Sequence, residues 1–229
     1  MSDRVVAVVP VRSLRGGKTR LAGTLTPEAR EALSRRMLRH VLGQAVASGT
    51  VDRVVVVSPD EEALAFARDV HPSVVGLSQP TTAPGLNSAL DLGRAWAEAD
   101  GARAMLVLFA DLPRLTAADV RDLAGLAAPV ALAPDRHGTG TNALRLQFPQ
   151  GGAFAFAFGV GSAALHLAEA RRLGLDVVVH RAPGLSFDLD TADDWRSLVD
   201  GEATGPHPDP VPDLEPVPAA LCPAFGSRP

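Results

Sequence analysis

"VVAVVPVRSLRGGKTRLA", Val5 to Ala22, sets an unbroken apolar run directly against a long basic loop. Val5–Val9 has the length and β-branched content of a strand buried on both faces. The loop behind it contains Gly17-Lys18-Thr19, which raises the question of a phosphate loop of the ATPase kind. That pattern needs a glycine five positions before Gly17, and Arg12 stands there. It also needs a helix to begin at once, so that free amides meet the phosphate. Here the first good helix start, Thr26-Pro27, comes well after Lys18, and residues 19–25 are too short and interrupted for a helix of their own. What remains is a strand feeding Arg12, Arg15, Lys18 and Arg20 into one loop, a charge cluster suited to a triphosphate. Lys18 is the only lysine in the chain; every other Lys/Arg position is arginine.

Downstream, strand-like runs alternate with helical patterns. Thr26 to Val46 predicts a helix, with Thr26 as cap, Pro27 at the first turn, and Glu28 and Glu31 at its positive end. Strands are expected at Val54–Val57, Val74–Leu77 and Met105–Ala110, and helices over Glu61–Val70, Asn87–Ala99 and Thr116–Ala127. Such alternation predicts one α/β domain with a mostly parallel central sheet flanked by helices. Ligands of such sheets sit beyond the carboxyl ends of the strands. The loops after Val9, Ser58 and Ala110 are therefore the places to look.

The second half changes character. Val130–Ala133 and Ala143–Leu146 read as strands around a Gly/Thr loop, and Phe154, Phe156 and Phe158 alternate with alanine as on a strand with one aromatic face. Ser162–Leu173 reads as a helix and Val177–His180 as a strand. From Gly201 prolines crowd in. The expected organisation is a domain over residues 1–200 and a Pro-rich, poorly ordered tail over 201–229.

Composition narrows the function classes. The 229 residues are 46% hydrophobic with a net charge of −4 and no basic block, which argues against nucleic acid as partner. No stretch approaches the ~20 apolar residues of a membrane span, and no secretory signal is evident. The single cysteine, Cys222, fits a reducing compartment. A cytoplasmic protein is expected.

Three carboxylates stand out. Asp111, in Ala110-Asp111-Leu112-Pro113, follows a buried strand, where it can hold a divalent cation against phosphates. Asp188 and Asp190 are two apart on an extended segment and point the same way, so that a cation between them relieves their repulsion. Asp190 or Thr191 can also cap the helix running through Trp195 to Leu198. Together with Asp111 the pair would make an oxygen-ligand magnesium site. Two further segments offer amides to anions: Asp135–Asn142, DRHGTGTN, and Phe158–Ser162, FGVGS, which opens a helix. Two such cradles suggest a second phosphorylated ligand. His166, one turn after Ser162, would face the same site.

The ordered set PVRSLRGGKTRLA, PGLNSAL, ADLP, DRHGTGTN, FGVGS with its following histidine, and DLDT resembles the guanylyltransferases of coenzyme F-420 biosynthesis. These are the 2-phospho-L-lactate or phosphoenolpyruvate guanylyltransferases, and the resemblance covers about residues 4–199. It implies a single nucleotidyltransferase-type (Rossmann-like) domain, GTP and Mg2+, a phosphorylated three-carbon acid as acceptor, and a downstream transferase of the F-420 pathway as partner. It implies metal on Asp111, Asp188 and Asp190, and catalysis by Lys18, Arg12 and Asp111. Nucleotide contacts would come from Arg12, Ser13, Lys18, Arg20, Gly85 and Asn87, and acid contacts from Thr141, Asn142, Gly159 and Ser162. Molybdenum-cofactor guanylyltransferases and sugar-phosphate nucleotidyltransferases carry a glycine-rich motif after the first strand that this chain lacks. A same-fold enzyme acting on 3-phosphoglycerate or a sugar phosphate, and a non-catalytic nucleotide-binding regulator, are the competing readings.

Overall fold

Residues 4–204 are described by a computed structural model, in which β1 (Val5–Pro10) lies at the centre of the sheet. Its neighbours are β2 (Arg53–Ser58) and β4 (Ala104–Leu108), both parallel to it. The full order is β3-β2-β1-β4-β6-β5-β7, with β3 at Val74–Ser78, β5 at Val130–Pro134, β6 at Thr141–Gln147 and β7 at Val177–Val179. Only β6 runs antiparallel, to both β4 and β5, so the sheet is mostly parallel as expected. The chain winds outward from β1 through β2 to β3, then returns to β4 on β1's other side. That reversal opens a crevice at the carboxyl ends of β1 and β4.

The apolar run of β1 is continuous because both faces are covered. Val5, Ala7 and Val9 pack with α1 (Pro27–Ala47), α2 (Glu61–Arg68) and α4 (Ala117–Gly125). Val6 and Val8 pack on the other side with α3 (Leu86–Ala99) and α5 (Ser162–Arg172). A third cluster matters most for the site. Leu21 and Leu25 from the basic loop, Leu33 and Met37 from α1, and Phe187 and Leu189 bury one another. It fastens the loop after β1 to the Phe187–Asp190 segment at the same sheet edge.

Local signals agree with these elements. The Thr26 hydroxyl accepts from the Ala29 amide, and Thr116 and Asp119 cap α4 reciprocally. Thr191 and Asp194 do the same for α7 (Ala192–Thr204). The helix therefore runs across the boundary expected at residue 200, and the remainder of the expected tail lies outside the described residues. Two expectations are corrected. The segment carrying Phe154, Phe156 and Phe158 forms no strand and joins no sheet among the described residues. Its alternation comes from burial, since all three rings pack against the α3 side of the sheet. Strand β4 ends at Leu108 rather than Ala110, which leaves Phe109 and Ala110 in the turn that delivers Asp111. A short helix, α6 (Pro183–Ser186), gives too few residues for a periodic signal.

Close approach of α3 to the sheet depends on Gly93. A Cβ there would lie 2.5 Å from Val8 Cγ1, about 1 Å inside ordinary carbon contact at ~3.5–4.0 Å. Gly93→Ala gains about 1 kcal/mol of helix propensity but overpacks a closed core, a cost of about 1–3 kcal/mol. The expected net result is a lower urea midpoint; an unchanged or raised midpoint would show that β1 yields.

Candidate active site

Lys18 has φ 53° and ψ 42°, the left-handed region, and is the only non-glycine with positive φ among the described residues. This conformation costs a side-chain-bearing residue roughly 1–2 kcal/mol. It precedes a single 3-10 turn, Thr19–Leu21, whose Leu21 is fully buried. With the backbone so turned, the Lys18 ammonium sits between two carboxylates, 2.7 Å from Asp111 Oδ2 and 2.9 Å from Asp190 Oδ1. The side chain is only 12% exposed. Burial works to depress the Lys18 pKa, but Asp111 and Asp190 outweigh it and hold the pKa above the ordinary lysine value. Arg20 approaches Asp190 at 3.8 Å, exposed to solvent.

Asp188 completes the group. Its carboxyl pKa is raised, first by burial and further by the charges of Asp111 and Asp190, while Asn142 Nδ2 donates to it at 3.4 Å. Along Phe187–Asp190 the apolar side chains are buried and the aspartates partly open, the alternation read from the sequence. The segment is clamped from several sides. Phe187 lies under the guanidinium groups of Arg114 (4.3 Å) and Arg136 (5.0 Å). The Leu189 amide donates to Asp111 O. Asp194, itself paired with Arg136, accepts from the Asp190 and Thr191 amides. The helix cap is thus made by Thr191 and Asp194, which leaves the Asp190 carboxylate for Lys18. Among the described residues no three acidic, histidine or cysteine side chains converge as a metal site; the Lys18 ammonium lies between two of the aspartates.

Two cavities adjoin here, sharing Pro10, Val11 and Arg12. One of about 210 Å³ is lined by Arg12, Ser13, Lys18 and Asp111. The other, about 710 Å³ and of the size that takes small molecules, runs past Arg12 to Gln79, Pro84 and Gly85. Arg12 is exposed and lines both. Gly85 caps α3 at φ 101°.

Other candidates have partners within the protein. The Ser13 hydroxyl donates to Asp60, the cap of α2, and so braces the basic loop. Asn87 grips the backbone of Phe158 through both amide atoms, at 2.9 and 3.3 Å, and fastens α3 to the loop carrying Gly159. The Gly/Thr loop is not an open anion cradle. Its Thr139 and Gly140 amides donate to Asp135, so the chain supplies the anion itself. That arrangement needs Gly140, where a Cβ would fall 2.8 Å from Asp135 Oδ2. The loop before β6 nevertheless reaches the functional edge, because an antiparallel strand begins where parallel ones end.

Thr141, Ser162 and His166 form one buried network. Ser162 Oγ accepts from the Thr141 amide at 2.9 Å. His166 Nε2 accepts from the Ala157 amide, so its proton is on Nδ1, which faces Thr141 Oγ1 at 3.0 Å. Burial pushes the His166 pKa down to about 4, against an opposing pull from Glu169. With accepting roles filled by the protein, both hydroxyls keep their protons to donate. Gly159, at φ 140°, shapes the adjoining turn.

Comparison with known proteins shows the family and the fold. Residues 5–205 match the family described as "Guanylyl transferase CofC like". A phosphoenolpyruvate guanylyltransferase of Sphaerobacter thermophilus is 43% identical, over 89% of this chain and 97% of its own length. A 2-phospho-L-lactate guanylyltransferase of Methanothermobacter thermautotrophicus is 35% identical, over 88% and 87%. In fold, the chain is similar to a solved nucleotidyl transferase of M. thermautotrophicus, with TM-score 0.61 and 18% identity over 87% of this chain and 98% of that one. No helix among the described residues is long and apolar enough to cross a membrane.

The raised Asp188 pKa has a consequence for stability. A carboxyl with a higher pKa folded than unfolded holds its proton more tightly in the native state, so ionising it as pH rises costs stability. Asp188→Asn removes that cost. The variant is expected to melt above the wild type at pH 7, with the difference closing as pH falls below the ordinary carboxylate range; thermal melts across pH check both parts.

Proposed function

The chain belongs to the family of CofC-like guanylyl transferases, and from that premise we propose that it transfers GMP from GTP to phosphoenolpyruvate, releasing pyrophosphate. The observation that carries the reading is the Lys18 clamp, set between Asp111 and Asp190, with Arg12 lining both its cavity and the adjoining one of about 710 Å³. Phosphoenolpyruvate is chosen over 2-phospho-L-lactate because the relative named for it is the more similar, 43% against 35% identical. The product would pass to a downstream transferase of coenzyme F-420 synthesis in the cytoplasm.

A phosphate oxygen of the acid attacks the α-phosphorus of GTP. A new P–O bond forms there as the bond to the bridging oxygen breaks, and pyrophosphate leaves. Both reactants are polyanions, and each unit pair at about 4 Å repels by about 4 kcal/mol at an effective dielectric of 20. The protein's task is therefore to neutralise and align. Lys18 and Arg12 face the triphosphate, with Arg20 at the rim. Thr141 and Ser162 donate hydroxyl protons to the acid's phosphate, Thr141 held in that polarity by neutral His166 and Ser162 by the Thr141 amide, and Gly159 lets the turn approach closely. Asp111, Asp188 and Asp190 would supply oxygen donors, the ligand type Mg2+ takes, although in this structure Lys18 pairs with two of them. Magnesium, when bound there, offsets phosphate charge.

The test is pyrophosphate release with GTP and magnesium, offering phosphoenolpyruvate, 2-phospho-L-lactate and 3-phosphoglycerate in parallel, with ATP as the nucleotide control. Release is expected with GTP and phosphoenolpyruvate. GTP binding without release with any acid would favour a regulator. Asp111→Asn and Lys18→Met should each lower kcat at least about 100-fold with the fold intact by circular dichroism; near-normal turnover in either would remove that residue from the mechanism.

A further inference from the structure

Gln79 follows β3 directly, and its amide extends the ladder to Ser58 O at 2.9 Å. Its side chain is held in one orientation. Nε2 donates to Ala83 O and to Gly85 O, each at 2.8 Å. A side-chain amide has two N–H protons, and both are used. Turning it over would set its oxygen against two carbonyl oxygens, so the orientation is locked. The residue is 8% exposed, and it lines the larger cavity. Its Oε1 has no hydrogen-bond partner among the described residues, yet is not sealed away from solvent.

The cavity's chemistry says what that oxygen meets. Its side chains include Val57, Pro59, Pro80, Pro84 and Ala89, and only Arg12, Gln79 and Thr81 among them are polar. Apolar walls with few polar groups suit a flat base. Arg12 lies on the side shared with the Lys18 cavity, where the phosphates belong, which puts the base toward Gln79.

We propose that Gln79 is the residue that selects the nucleobase, its locked Oε1 accepting from the ring N1–H and the 2-amino group of guanine. The assignment rests on the guanylyl-transfer reading above. Guanine presents those two donors side by side, and the carbonyl oxygen has two lone pairs to receive them. Adenine in the same position places an unprotonated N1 against the oxygen, and the locked amide has no donor to offer in exchange.

The test compares kcat/KM for GTP, ITP and ATP, with phosphoenolpyruvate saturating, in wild type and Gln79→Met. ITP keeps the N1–H and lacks only the 2-amino group. Wild type should prefer GTP over ITP by about tenfold, since the analogue loses one of the two hydrogen bonds to the oxygen. In Gln79→Met the GTP value should fall about 10–100-fold, the GTP:ITP preference should shrink toward one, and ATP should not lose. Equal losses for all three nucleotides would make Gln79 a brace for the 80–85 loop and overturn the proposal. If the variant does not fold, the wild-type comparison decides: equal use of GTP and ITP overturns it, and a tenfold preference supports it. Absence of any wild-type turnover with GTP would instead overturn the underlying reading, and the assignment with it.

Discussion

One ammonium organises the functional edge of this protein. Lys18 Nζ joins Asp111, 93 residues away, to Asp190, 172 residues away. Like charges gathered at one sheet edge would push apart, and three carboxylates from two segments meet here. The lysine turns that repulsion into cohesion, and the left-handed turn at Lys18 is the local cost of aiming it. The apolar cluster of Leu21, Leu25, Met37, Phe187 and Leu189 offsets that cost by burying the loop against the aspartate segment. The strained residue is thereby over-determined by its surroundings, as functional strain requires.

Around the clamp, polar groups are satisfied in ways that leave specific atoms open. Asp60 takes up Ser13, Asp135 takes up the amides of its own loop, and Asn87 takes up the Phe158 backbone. These contacts build walls. The groups with unspent capacity are few: the exposed Arg12 guanidinium, the Thr141 and Ser162 hydroxyl protons, and the Gln79 amide oxygen. The hydroxyls and the amide oxygen are held by neighbours that fix their polarity. Neutral His166 does this for Thr141, and two loop carbonyls do it for Gln79. Preorganised donors and acceptors of this kind need no rearrangement when charge arrives.

Much of this was legible from residue order. Val5–Val9 announced a central strand because burial on both faces demands an unbroken apolar run. Thr26-Pro27 and Thr116 marked helix starts because capping chemistry is local. Asp188 and Asp190 could be paired by their spacing of two, and Lys18 stood out as the lone lysine in an arginine-rich chain. Ser13, Asn87 and the Gly/Thr loop were less legible, because glycine, serine and asparagine serve equally to hold a ligand or to hold the chain. Asp135 occupying its own loop follows from backbone geometry that no periodicity encodes. Gln79 gave no signal, since one glutamine before Pro80 resembles any loop residue until its two carbonyl partners are seen.

The sequence by itself determined the class of fold, the layering of its helices and the cluster of charges that belongs to phosphate chemistry. These follow from short-range rules of side-chain period, capping and turn chemistry, which each segment carries alone. Only the tertiary structure decided that Lys18 sits between Asp111 and Asp190, that β6 enters antiparallel and brings Thr141 to the same edge, and that the Gln79 oxygen is left facing the larger cavity. Those outcomes depend on which strands become neighbours and on which hydrogen-bonding groups find partners across the chain. Such pairings are settled by packing over the whole sheet, not by any one stretch of residues.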